Sequence, residues 1–404
     1  MRTPLYRLVV TMTTALLGGV LALGAVAPAS AADIDTVPVP GAPVGNTVYD
    51  MIEFNGVLYF VGGAGQLWAY NGTSDAYLVV AGLNIVGDLT LFDGELHFTA
   101  SDGADARVYH FDGVNPPAII TGSPVYPYDL EVFQGELVFT AQNAGFDEVL
   151  WTYDGTNPPT EVAASPEGAV YKVVYDGNLY FNALLVGIPL LWEWDGTNAP
   201  TVVVGPINPS GFIVFDGDLY FSAHDGANDY PLWVFDNANP PAEVAGSPED
   251  TYDFAEIAGG LIFTAEASDY RAYFYDGVDP PALIPNSPFS PYDWTTIDGI
   301  VYFAYYDGAT YRLGTYDGAT FTVYPTGPLD PYNFTSFQGK VFLSVDVPAE
   351  DGARLAYLQV PALAATGSGD SSALAVGAAL VLLVGMSIVA TTVRRRVTTR
   401  HDLR

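Results

Sequence analysis

Carboxylates recur at one spacing in this 404-residue chain. Asp50, Asp88, Asp129, Asp253 and Asp293 each stand six residues before a repeated glycine. Asn333 holds the eighth place, while Tyr171 and Gly211 interrupt the series. Carboxylates gathered in this way offer hard oxygen ligands to a cation, or hydrogen-bond acceptors to a sugar. Asp also serves structure by bonding backbone amides at strand starts and turns, and the sequence alone leaves both uses open. Aromatic residues stand beside the series. Tyr128, Tyr252, Tyr292 and Trp294, with Tyr126 and Tyr332, fall in the connections that precede the repeated motif. They are the ligand candidates, since amphipathic rings on loops suit glycan or protein contacts. Trp68, Trp151, Trp192, Trp194 and Trp233 fall in strand-like runs and are expected to pack between units.

The remaining chemistry is sparse. His97 and His110 fall in strand-like runs, His224 in a loop and His401 near the C-terminus, none with a metal-type partner at useful spacing. The chain has no Cys, which excludes thiol catalysis and Cys-ligated metals. No GxSxG, HExxH or phosphate-loop motif is present, and no D-x-[DN]-x-[DN]-G run marks a dedicated calcium loop. The expectation is a non-catalytic chain without metal or cofactor. The alternative is a glycosidase or lyase acting on extracellular polysaccharide, which needs only two suitably placed carboxylates. Charge narrows the partners. The segment from Asp33 to Thr366 holds 44 acidic and 6 basic residues, a net charge of −38. Such a surface repels phosphate backbones, so nucleic acid is not an expected partner, whereas cations and basic proteins are attracted.

These residues are positioned by a unit repeated eight times. Its first motif is FNGVLYF at Phe54, FDGELHF at Phe92, FQGELVF at Phe133, YDGNLYF at Tyr175, FDGDLYF at Phe215, IAGGLIF at Ile257, IDGIVYF at Ile297 and FQGKVFL at Phe337. Successive motif glycines lie 38 to 42 residues apart. A second motif of the type LWTYDG sits between successive copies, followed by a short apolar run. Four strand-length runs per unit, punctuated by Asn-Gly and Asp-Gly pairs suited to tight hairpins, predict four antiparallel strands, here labelled a to d from the inside outwards. Units of this size and content predict an all-β chain forming an eight-bladed β-propeller over residues 33–361. The eighth unit has only three strands, and the stretch DIDTVPVP near the start has no unit of its own. Ile34 to Val39 is therefore expected to close the ring as strand d of the last blade, where Pro38 and Pro40 suit an outer edge. The a–b and c–d turns should share one face. The b–c loops, such as SDGADAR, QNAGFDE, HDGANDY and YYDGATY, should share the other with the crossovers, and the varied loops are the expected binding side.

The two ends read as addresses. Residues 1–31 combine Arg2 and Arg7, an apolar run and the small residues Ala29-Ser30-Ala31, the pattern of a removable secretory leader. Residues 362–372 form a linker carrying Leu363, Ala364, Ala365, Thr366 and Gly367. Residues 373–393 are apolar and long enough to cross a bilayer as a helix, and the basic tail 394–404 would remain cytoplasmic. The order of pentapeptide, apolar span and basic tail resembles a sortase sorting signal, in the LAxTG variant of actinobacteria, with Ala364 in place of the commoner Pro. That resemblance implies cleavage between Thr366 and Gly367 and attachment of Thr366 to peptidoglycan. The repeats resemble a secreted bacterial family with the consensus FxGxLYF followed by ELWxxDGT. Together the resemblances imply an extracellular, cell-wall-anchored protein of a Gram-positive bacterium. It would be a single-pass membrane protein where left unprocessed, and would serve display or adhesion through glycan or protein binding.

Overall fold

The structure, a computed structural model, describes residues 29–30 and 34–359, apart from 227–228, 267 and 348–351. Among these residues all regular structure is strand, and there is no helix. The leader before residue 29, the sorting motif at 363–367, the span at 373–393 and the basic tail lie outside the described residues.

The third repeat shows how the sequence folds. Val125–Phe133, Glu136–Gln142, Glu148–Tyr153 and Thr160–Glu161 pair antiparallel in chain order. The a–b hairpin turns on Gln134 (φ 50°) and Gly135 (φ 84°), a left-handed pair that matches strand twist. Strand b is apolar on both faces because both are covered. Leu137, Phe139 and Ala141 pack with Phe92 and Val108 of the preceding repeat. Val138 packs with Leu179 and Phe181 of the next. A single sheet has two faces to bury, so each repeat depends on its neighbours for a core. Separate sheets of the same order span 46–78, 84–119 and 249–283. The d strands are shorter than their apolar runs, two residues in most units.

Two junctions differ from the regular plan. Between the fourth and fifth repeats, d and a are one continuous strand, Thr201–Phe215, which joins both units into a seven-stranded sheet. Four other crossovers turn on a Ser-Pro pair, whose serine Oγ accepts the N–H of a strand c residue. Val108 bonds Ser123, Leu150 bonds Ser165, Leu232 bonds Ser247 and Ala272 bonds Ser287, at 2.7–2.9 Å. Residues 203–209 contain no serine and make no such bond. The seventh and eighth repeats are joined by a single extra pairing, Arg312 with Leu329.

At the ends of the array, Asp35–Pro38 lies antiparallel to Gly352–Gln359, with Thr36 opposite Leu358 and Val37 opposite Tyr357. The Val39 N–H donates to Leu355 O at 3.0 Å. Val39 is wholly buried in a cluster that holds Phe337, Phe342 and Leu355 of the last repeat together with Val48, Leu58 and Phe60 of the first. The first and last repeats thus share a core. Every hydrophobic cluster among the described residues lies within 34–359. Ala29–Ser30 pairs parallel with Thr322 and Val323.

Candidate functional site

The acidic positions sit on a bulge in strand a. In the third repeat Tyr128 opposes Thr140 and Glu131 opposes Val138, so strand a carries one extra residue there, and the other repeats show the same shift. The residue at this place is left-handed in every unit: Asp50 (φ 48°), Asp88 (63°), Asp129 (56°), Tyr171 (58°), Gly211 (65°), Asp253 (51°), Asp293 (59°) and Asn333 (55°). Asp, Asn and Gly adopt that conformation most readily, which accounts for seven of the eight residues. Tyr171 holds the strained geometry with a half-exposed ring.

The bulge turns each carboxylate sideways onto the neighbouring repeat. Asp88 N–H donates to Asp50 Oδ2 and Asp129 N–H to Asp88 Oδ2, both at 2.9 Å. Asp293 N–H donates to Asp253 Oδ2 at 3.2 Å, and Asn333 N–H to Asp293 Oδ2. Asn333 Nδ2 then donates to Val48 O of the first repeat at 2.9 Å. The carboxylates therefore bond backbone, as the structural use of Asp requires, but the amide belongs to the next unit rather than to their own strand. Among the described residues no group of three or more His, Asp or Glu has the arrangement of a metal site.

One partner in this series escaped the sequence reading. Lys172 occupies the position after the bulge, where other units place Met51, Leu89, Leu130, Phe212, Phe254, Trp294 and Phe334. Its side chain is wholly buried and its Nζ donates to Asp129 Oδ2 and Asp129 O at 2.9 Å and to Thr140 Oγ1 at 3.0 Å. Burial presses the Lys172 ammonium towards neutrality, opposed by the Asp129 carboxylate. A second stitch was also missed. Four polar residues five positions after the motif glycine are buried in strand b and bond the next repeat, whereas Thr99 and Ser222 at the same place bond their own. Thr140 donates to Ala169 O, Asn182 to Pro209 O and Thr264 to Pro291 O, while Ser344 Oγ accepts from Val48 N–H. The signal was present as one polar letter inside LVFTA, LYFNA, LIFTA and VFLSV.

Crowding by neighbouring protein raises the carboxyls of Asp50 and Asp253 above the usual range, and pushes Asp88 and Asp293 up to about 6, against the pull of the amides they accept. Between their unfolded value of 3.8 and about 6, the folded chain binds more protons than the unfolded chain. Stability therefore falls as pH rises through that window. Allowing for screening, each group contributes on the order of 1–2 kcal/mol. Thermal unfolding is expected at a higher temperature at pH 5 than at pH 7.5, with the difference reduced in the Asp88→Asn/Asp293→Asn variant. Equal pH dependence in variant and parent would contradict the burial of these carboxyls.

The aromatic candidates are placed differently from expectation. Tyr128, Tyr252, Tyr292 and Trp294 lie in strand a, not on loops. Trp294 is largely buried, packs between units and donates from Nε1 to Thr264 Oγ1 at 2.9 Å. Tyr128 donates to Glu148 Oε2 at 2.9 Å. Tyr252 and Tyr292 stand edge-on to Tyr270 and Tyr311. Tyr126 is half exposed and donates to Asp105 Oδ1. Trp151, Trp192 and Trp233 each donate to a strand b carbonyl of their own unit, at Ala141, Ala183 and Ala223. Where Gly211 leaves the acidic series without a side chain, a half-open hollow of about 240 Å³ lies against Asp253, Phe254, Asp293 and Trp294.

No family model matches the sequence, and no curated protein matches it. Solved structures do resemble the fold. The computationally designed Ika8 protein matches with a TM-score of 0.55 and 12% identity, over 80% of this chain and 99% of that one. A structure from a study of two prolyl endopeptidases matches with a TM-score of 0.51 and 12% identity, over 76% of this chain and 53% of that one. The β-propeller domain of the Trilobed protease from Pyrococcus furiosus matches with a TM-score of 0.45 and 10% identity, over 77% of this chain and 93% of that one. At such identities the likeness speaks for fold alone, here an array of repeated four-stranded antiparallel sheets.

Proposed function

We propose that the eight repeats close into an eight-bladed β-propeller, which is exported and joined through Thr366 to peptidoglycan by a sortase. There it serves as a non-catalytic display or adhesion module for glycan or protein. The observation that carries this reading is the pairing of Asp35–Pro38 with Gly352–Gln359. The first residues after the expected leader and the last before the sorting motif belong to one sheet, so trimming both ends leaves a closed body. Seven residues, 360–366, separate that body from the attachment point, a reach of about 25 Å when extended. Support also comes from the stitching between repeats, which gives a rigid carrier for the loop face.

Thr366→Ala is expected to move the protein from the wall fraction, where muramidase releases it, to the membrane fraction. Unaltered fractionation would overturn sortase processing. A glycan array probed with residues 33–362 tests the ligand class, and the glycan half of the reading fails if no glycan is retained.

A further inference from the structure

The b–c connection of the fourth repeat is unlike the others. Most are polar, as in SDGADAR or HDGANDY, whereas this one reads LLVGIPL from Leu184 to Leu190. The strands Asn178–Leu185 and Ile188–Trp194 stay paired up to the tip, where Leu185 opposes Ile188. Val186 (φ 52°) and Gly187 (φ 79°) make a two-residue left-handed turn, the tightest hairpin link. The tip is thus a stiff finger. Val186 is 95% exposed, Ile188 49% and Leu185 43%. Ile207 lies opposite Leu190 in the same sheet and, with Val204, extends the exposed apolar surface. Val186 contributes nothing to the core, and an exposed apolar cluster marks a contact surface.

Charge selects the occupant. The described residues include only six bases. Lys172, Arg107, Arg271 and Arg312 are held in ion pairs, and Lys340 lies over the Tyr357 ring. The acids greatly outnumber them, and Glu167, exposed beside Leu184, borders the finger itself. A second copy of this chain or an anionic lipid surface is repelled by such a field, whereas a basic protein is drawn in. The end of the sheet also matters. Strand c of the last repeat runs from its b–c loop to Gln359, so the described chain ends at the turn end, opposite the b–c loops. The finger lies at the other end, with the b–c loops.

We propose that the Leu185–Ile188 finger docks into an apolar socket rimmed by Lys and Arg on an extracellular protein partner. This deepens the display reading by assigning this part of the loop face to protein rather than glycan. The test uses residues 33–362, which contain the whole described core, and an amphipathic peptide of Leu and Lys as probe. The same peptide with Glu for Lys, phosphatidylglycerol vesicles and the labelled ring itself serve as comparisons. The Leu–Lys peptide is expected to bind at least tenfold more tightly than the Leu–Glu peptide. Its affinity should fall at least tenfold in Val186→Ser/Ile188→Ser while the unfolding temperature stays within about 1 °C, as for other exposed sites. Val186→Ser alone serves if the double variant fails to fold. Unchanged Leu–Lys binding in the variant overturns the proposal, as does equal or tighter capture of the Leu–Glu peptide, the vesicles or a second ring by the finger. Failure of wall anchoring is read separately, by fractionation of Thr366→Ala.

Discussion

Lys172→Ala is expected to lower the free energy of unfolding by about 3–5 kcal/mol, the range for removing one partner of a buried ion pair. The Lys172 side chain is wholly buried, and its ammonium is the shared donor to Asp129 Oδ2, Asp129 O and Thr140 Oγ1. Its loss leaves the Asp129 carboxylate without its cation and opens a cavity where other repeats place an apolar side chain. Replacing both partners, as Lys172→Met with Asp129→Asn, is expected to restore most of the loss. Met51 fills the equivalent place in the first repeat and Asn333 the equivalent bulge in the eighth, so both side chains already suit this backbone. Chemical denaturation of the two single variants and the double variant gives the coupling energy directly. A loss below about 1 kcal/mol for Lys172→Ala would mean that the pair is not buried as described.

The second large effect is expected at the ends of the array. Removing residues 34–39 deletes the strand paired with Gly352–Gln359 and uncovers the cluster around Val39, Leu355 and Phe337. Full burial of a Val side chain is worth about 1.5–3 kcal/mol. Each backbone bond lost adds about 1 kcal/mol. The total is on the order of 5 kcal/mol, or roughly 10 °C in unfolding temperature for a domain of this size. Calorimetry of the shortened and full-length chains measures it. A shift under about 2 °C would show that the last sheet does not need its fourth strand.

Much of the fold was legible because the same local rules recur in each repeat. The Asn-Gly and Asp-Gly pairs marked hairpins, the aromatic and β-branched runs marked strands, and a three-strand final repeat implied a donor elsewhere. The merged strand Thr201–Phe215 was not legible, because whether a crossover breaks or continues a strand depends on pairing with both neighbouring strands, and the first crossover, also without a Ser-Pro pair, does break. At the acidic positions the spacing was visible but the direction of the bonds was not. A bulge is a property of pairing register, and only the pairing shows that Asp88 and Asp293 serve the neighbouring repeat. Trp294 stood out in the sequence as a ligand candidate, and only the bulge in strand a shows that its ring is turned towards the neighbouring repeat. Lys172 was hidden because a lone base in an apolar strand has no motif, and its meaning depends on Asp129, 43 residues earlier.

The central claim, that the strand Asp35–Pro38 closes the last sheet, has a direct test, since the chain has no cysteine of its own. Val37→Cys with Tyr357→Cys places thiols on residues that face each other across the two strands. Mild oxidation followed by peptide mapping is expected to give one disulfide joining the N- and C-terminal peptides, in good yield and within a monomer. The control pair Val37→Cys with Ala353→Cys should remain reduced. A crosslink no more abundant in the first pair than in the control would contradict closure.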